Sequence, residues 1–377
     1  MRNQSFVIAA ILALFAVEPV SATVKLAIAS GATCGQCHVS PSGGAMRTDY
    51  GLSEMILTEL PRPRKNKSAQ KFSAKLGDNL RWGMDTRIQG FAFGIDTSAA
   101  TDPLSGIFPM QMAVYGQVQA GERLEFVALV YMLQRETQFW ATLMGKRGTH
   151  YFRAGKFLPA YGLKLDDHTA FIRGGNVGRI IVANLFKEGL PFEPTIHGSG
   201  IAEAGIYLGD WHISSSLANP FLLASSAGAN FQGTNFTLRS EIITFISGLN
   251  MSFMAGGSYM EEGGLKLSGL FGGVHWKKFS LIGELDRVTG WSGAGITAVA
   301  SYADLGYDLK SWIQSYVRYH FYDNDISVLG NALTRLVVGA SIFPTTFVEV
   351  TPQIRINTNT LGKPTTIDIL LQLHTFF

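Results

Sequence analysis

The sequence predicts an all-β fold, a transmembrane antiparallel β-barrel of about 14–16 strands preceded by a short N-terminal segment. Three observations predict it. The chain of 377 residues is 46% hydrophobic and only 16% charged, where a globular protein carries about 25% charged residues. Beyond residue 22 no apolar run approaches the roughly 18 residues of a spanning helix. From about residue 79, apolar and polar residues alternate with a period of two over stretches near ten residues long, the length of a tilted membrane strand. In lipid such a pattern is stable only when closed into a barrel, one face to the acyl chains and the other to the lumen. Low charge with many aromatics excludes disorder. The net charge of +3 says nothing about partners, and no nucleic acid is expected.

Residues 1–22 read as an export signal. Arg2 supplies the positive start, residues 5–17 the apolar core, and Ser21 and Ala22 the small residues before a cleavage site after Ala22. The mature chain is therefore expected outside the cytoplasm.

Residues 23–60 form the next unit. They hold the only two cysteines of the chain, three apart and followed at once by a histidine: Cys34, Cys37, His38. This is the attachment pattern of c-type haem. Each thiol adds to one vinyl group of the porphyrin, and the imidazole of His38 becomes the proximal ligand of the iron. A zinc site needs further ligands that the sequence does not supply at suitable spacing. A thioredoxin-like pair needs an α/β setting, and a disulfide across two residues closes a loop too small to stabilise much. One covalent haem is the expected cofactor. Pro41 would direct a backbone carbonyl at the second nitrogen of His38, Gly43 and Gly44 would let the chain pass close to the flat cofactor, and Arg47 is a candidate partner for a haem propionate. The sixth ligand is left open among Met46, Met55, a barrel histidine such as His320 or His374, and water. Met46 lies eight residues beyond His38, a reach of at most about 29 Å.

Residues 61–78 read as a basic linker. The stretch 61–75 has six basic and no acidic residues, fitting either a solvated connection or a docking surface for an acidic partner.

Residues 79–377 supply the strands. They are read at 80–93, 109–120, 122–134, 137–145, 150–157, 197–207, 210–218, 234–246, 249–260, 265–276, 279–288, 294–304, 312–322, 331–342, 347–357 and 366–377. In the thirteenth, Ile313, Val317, Tyr319 and Phe321 alternate with Gln314, Arg318 and His320. Arg318, Arg335, Glu349, Arg355 and Asp368 fall on lumenal positions. Trp82, Trp140, Trp211, Trp276 and Trp312 are candidates for interfacial girdles. The long gap 158–193 reads as a loop. The run Gly155, Lys156, Phe157, Pro159, Tyr161, Gly162 resembles a porin feature. The final strand, alternating apolar residues and ending on Phe377, resembles the assembly signal of Gram-negative outer-membrane barrels.

Taken together, a Cys-x-x-Cys-His segment ahead of an outer-membrane barrel resembles the fused cytochrome–porins. The resemblance implies a protein of the Gram-negative outer membrane, surrounded by its lipid, with the haem on the periplasmic side or in the lumen. It would pass electrons between the periplasm and the extracellular side. It would be an electron-transfer protein rather than a substrate-converting enzyme. Implied partners are a periplasmic cytochrome and soluble or mineral iron as donor or acceptor. One haem cannot bridge a hydrocarbon core about 30 Å thick, so partner haems or a soluble reductant would be required. The alternatives are a diffusion porin, a barrel sheath for a partner cytochrome with the haem sensing or structural, and a plain porin with a disulfide.

Overall fold

Sixteen strands close into one antiparallel barrel in which every strand pairs with its sequence neighbours and β1 closes on β16. The computed structural model describes residues 24–41, 43–44, 46–51, 73–96, 104–133, 136–165, 167, 169–175, 189–192, 199–221, 233–291, 295–345, 347–359 and 366–377. The export signal, Met55 and most of the basic linker lie outside these residues.

The strands are β1 Leu80–Asp96, β2 Leu104–Ala120, β3 Leu124–Tyr131, β4 Glu136–Met144, β5 His150–Phe157, β6 Ser199–Leu208, β7 Trp211–Ala218 and β8 Asn235–Ile246. They continue as β9 Met251–Glu262, β10 Leu265–Trp276, β11 Phe279–Thr289, β12 Thr297–Lys310, β13 Ile313–Asp323, β14 Leu333–Thr345, β15 Val348–Asn359 and β16 Thr366–Phe376. The count and order follow the alternation of the sequence. Several strands run past their expected ends, among them β1 to Asp96, β2 from Leu104 and β12 to Lys310. In β2, Pro109 falls where the pairing with β1 shifts between Arg87 and Ile88. A proline that cannot donate a ladder hydrogen bond is tolerated at such an irregularity, so the strand continues through it.

Burial is inverted relative to a water-soluble sandwich. Phe126, Phe139, Leu143, Phe152, Leu217, Leu270, Leu285, Leu305, Val338 and Ile354 are exposed on the outside. Arg153, Glu203, Arg239, Glu241, Glu284, Asp286, Asp304, Arg335 and Arg355 are buried inside. An apolar outer band with a charged lumen is the pattern of a lipid-embedded barrel. Among the described residues no helix is long and apolar enough to cross a membrane; the strands do the crossing.

The two rims differ. One carries short connections at 121–123, 145–149, 209–210, 247–250, 277–278, 311–312 and 346–347, and β1 starts and β16 ends there. The other carries the remaining connections, most of them longer, with the two-residue turn 263–264 among them. Trp211 and Trp276 stand exposed at the short-turn rim, as girdle residues do. Trp140 does not. It points into the lumen, packed edge-on against Phe157 with Arg153 over its ring, because its phase in β4 is the inward one.

Candidate functional site

Two pieces of chain fold into the lumen. The first is the segment 24–51. It opens with α1, Val24–Ser30, a single amphipathic run lying against β8–β11 in the half of the barrel nearer the short turns. Lys25 reaches across to Asp304 on β12, Nζ to Oδ1 2.6 Å, with both side chains buried. The hydroxyl of Ser252 donates to the carbonyl of Ile28. Ile28 is fully buried, and a Cβ on Gly273 of β10 would lie 2.5 Å from its Cδ1. The wall is therefore cut away where the helix seats. Burial pulls the Lys25 ammonium below its ordinary value, against the opposing pull of Asp304.

After Gly31 the chain forms α2, Cys34–Cys37, one helical turn. Gln36 caps its start by accepting from the Thr33 amide at 2.8 Å. Cysteines three apart in a helical turn stand on the same side, and they are free thiols rather than a disulfide. His38 follows directly and bridges Arg47 as an antiparallel pair, with the Val39 amide donating to the Met46 carbonyl at 2.9 Å. Gly43 and Gly44, at φ +83° and +72°, turn the chain between them, a conformation glycine adopts without strain.

Opposed residues of a pair share a face and their neighbours take the other. His38 and Arg47 therefore share one face of this hairpin. Val39 and Met46 take the other and are buried in the apolar core. Arg47 is buried, its guanidinium 4.1 Å above the ring of Phe376 on the last strand. Ser40 accepts from Arg153 Nη1 at 2.9 Å. Burial pushes the Cys34 thiol up to about 12, with the Glu241 carboxylate adding to the effect. Burial also raises Cys37, which is less enclosed, while Arg47 pulls it down. Both histidines singled out for the wall face the lumen. His374 lies between Glu349 and Asp85 at 3.1 and 3.2 Å. His320 packs edge-on to Tyr302 and Phe171.

The second piece follows β5. Where the sequence suggests only a loop, the described residues of 158–175 enter the lumen. Tyr161 donates to Asp286 at 3.0 Å, Gly162 N–H to Ser258 and Leu163 N–H to Glu284, both at 2.9 Å. Arg239 returns a bond to the Gly162 carbonyl at 3.0 Å. Arg173, 1% exposed, binds both oxygens of Glu284 at 2.8 Å. These bonds fasten the loop to the β8–β11 wall, the wall that also holds α1. Lys164 of the loop packs on Gly43 and Gly44 of the first segment.

Space remains on the opposite side of the lumen. A cavity of about 130 Å³ lies between the two inserts and the wall of β12–β16 and β1. It has room for several waters, each needing on the order of 10–15 Å³ by this measure. Its lining is polar and charged, including Lys25, Asp167, Asp304, Arg318, Thr351 and Arg355.

The fold is porin-like. The barrel superposes on OprB of Pseudomonas putida with a TM-score of 0.56 at 10% identity, covering 79% of this chain and 94% of that one. It matches an anion-selective porin from Comamonas acidovorans at 0.53 and 10%, covering 79% and 99%. OmpT of Vibrio cholerae gives 0.53 at 9%, covering 81% and 100%. At such identities the likeness is one of fold. No family model and no curated protein matches the chain.

Of the lumenal charges expected from the alternation, Arg335, Glu349, Arg355 and Asp368 are buried inside the barrel and Arg318 lines its cavity. Lys25, Asp167 and Arg173 carried no local signal, since each acquires its role from partners about 110 to 280 positions away.

Proposed function

We propose that the protein is an outer-membrane channel of the porin type, its lumen narrowed by the segment 24–51 and the loop 158–175 to a polar passage for small solutes. The carrying observation is the cavity itself. The inserts are fastened mainly to the β8–β11 wall, the loop also reaches β15 through Thr169 and Arg355, and a charged, water-sized gap remains between them and the rest of the wall. Short-turn rims face the periplasm in barrels of this kind, and on this reading the segment 24–51 sits toward the periplasmic mouth. Purified protein reconstituted into planar bilayers tests this directly. Small, stepwise, ohmic conductance is the expected result; a tight membrane at all protein concentrations and voltages refutes it.

A second reading adds a redox role, and a specific arrangement favours it. Cys34 and Cys37 share one side of a single helical turn, both thiols are free, and His38 follows. These residues fit the ligand chemistry of one covalent haem c. The two sulfurs would hold it, His38 would bind the iron and Arg47, on the same face as His38, would meet a propionate. Met46 faces the apolar core instead, which favours water or a wall histidine as the sixth ligand. When bound, such a group takes up and releases one electron at a time. Partners in this reading are a periplasmic cytochrome and soluble or mineral iron. Haem staining of the denatured, exported protein is expected to show a covalent band that vanishes in Cys34→Ala/Cys37→Ala. No band in the unaltered protein ends the reading and leaves the channel.

A further inference from the structure

The cavity wall points to a class of solute, an assignment that rests on the channel reading. Arg318 on β13 and Arg355 on β15 project into the cavity toward Asp167 of the inserted loop. Arg318 Nη1 and Arg355 Nη2 lie 3.9 and 4.0 Å from the same oxygen, Asp167 Oδ2. Both distances exceed a hydrogen bond, which spans about 2.7–3.2 Å. The other oxygen, Oδ1, is tethered within the loop by the amide of Thr169 at 3.0 Å and by its hydroxyl. The carboxylate thus stands between two guanidinium groups without closing on either.

The two arginines are fixed in place by other contacts. Arg318 stacks on Tyr316, 3.8 Å from ring centre, and spends Nε on Asp304 at 2.8 Å. Among the described residues no hydrogen bond reaches its two terminal nitrogens. Arg355 gives Nε and Nη2 to Gln353 Oε1 and Nη1 to Thr169. Thr351, 5% exposed on the same wall, lines the cavity with a hydroxyl that has no partner among the described residues. Pre-oriented donors facing an accessible gap bind an anion with little further ordering cost.

We propose that Arg318 and Arg355 form a binding step for a small, singly charged carboxylate, with Asp167 as a built-in competitor that keeps the step weak. A bound solute carboxylate takes the place that Asp167 Oδ2 approaches, and Thr351 supplies a further hydroxyl contact. The competitor gives the proposal a sign that a merely structural ion cluster lacks. Removing the loop charge strengthens anion binding instead of weakening the site.

The test uses acetate as probe, titrated against detergent-solubilised barrel and followed by broadening of its ¹³C signal, with reversal potentials in potassium acetate gradients alongside. Arg318→Gln and Arg355→Gln are each expected to weaken acetate binding about tenfold or more, the loss of a charge-assisted bond. Asp167→Asn is expected to tighten it and to shift the reversal potential toward the anion. Asp167→Asn alters only a loop side chain, so it reports even if an arginine variant fails to fold. Acetate binding that is absent, or that Asp167→Asn leaves unchanged or weakens, overturns the proposal. Acetate binding by a barrel that conducts nothing supports the site and refutes the channel. Conduction with no response to these variants does the reverse.

Discussion

Replacing Lys25 by methionine isolates the pin that holds the lumenal segment. Lys25 Nζ and Asp304 Oδ1 are 2.6 Å apart, their side chains 4% and 1% exposed, so solvent screens the pair little. Asp304 keeps a second partner, Arg318 Nε at 2.8 Å. Lys25→Met therefore removes one charged hydrogen bond without stranding the acid, a loss of about 1.5–3 kcal/mol. That raises the undocked population about ten- to a hundredfold. Asp304→Asn instead strands a buried ammonium and weakens Arg318, and breaking a buried pair in this way costs about 3–5 kcal/mol. Hydrogen exchange read by mass spectrometry over peptides covering 24–31 measures the opening directly, with peptides from β9 and β10 as internal reference. Protection at 24–31 is expected to fall in Lys25→Met and further in Asp304→Asn, while the strands stay protected. Equal protection in all three proteins, or loss that spreads evenly through the strands, would refute the reasoning.

Arg173→Met leaves Glu284 and Asp286 buried without their main cation; a loss of about 3–5 kcal/mol is expected, seen as a lower unfolding temperature and larger single-channel currents as the loop leaves the wall. Haem-free protein should hold its segment less firmly as pH rises. The docked Cys34 thiol ionises only near 12 against a reference value of 9.0, so above pH 9 the undocked form alone releases its proton. Docking then weakens by about 1.4 kcal/mol per pH unit between about 9 and 12, and exchange of 24–31 in Cys34→Ala should lose this slope. Gly306→Ala puts a methyl 2.5 Å from Ser280 Oγ and 2.9 Å from Lys25 Nζ; segment protection is expected to drop, and Ser280→Ala in the same chain to restore part of it.

What the sequence discloses and what it withholds divide along the reach of the interactions. Alternation is a property of neighbours, so β13 and β15 can be read off Val317/Arg318 and Ile354/Arg355, and the inward phase of His320 and His374 comes with them. Cys34, Cys37 and His38 are likewise adjacent and state their chemistry together. Loop 158–175 gives no such sign. Its inward path depends on Arg173 meeting Glu284, 111 positions away, and on Tyr161 meeting Asp286. Lys25 reads as one more residue after a cleavage site, because its partner lies on β12. Trp140 misleads for a related reason: an aromatic near a strand end is indistinguishable in sequence from one turned inward, unless the phase of its strand is traced through Gln138 and Thr142, both of which are buried with it.

The contact between Arg47 and Phe376 sets an order of events during assembly. Phe376 belongs to the strand that zips against β1, where Phe377 and Met84 exchange backbone bonds at 2.9 and 3.1 Å. Until that seam is sewn, the aromatic seat for the guanidinium does not exist. The segment around the two thiols therefore gains this seat only once the last strand is in place. Any chemistry done to those thiols beforehand has an unobstructed substrate, and the closed wall then shields the product.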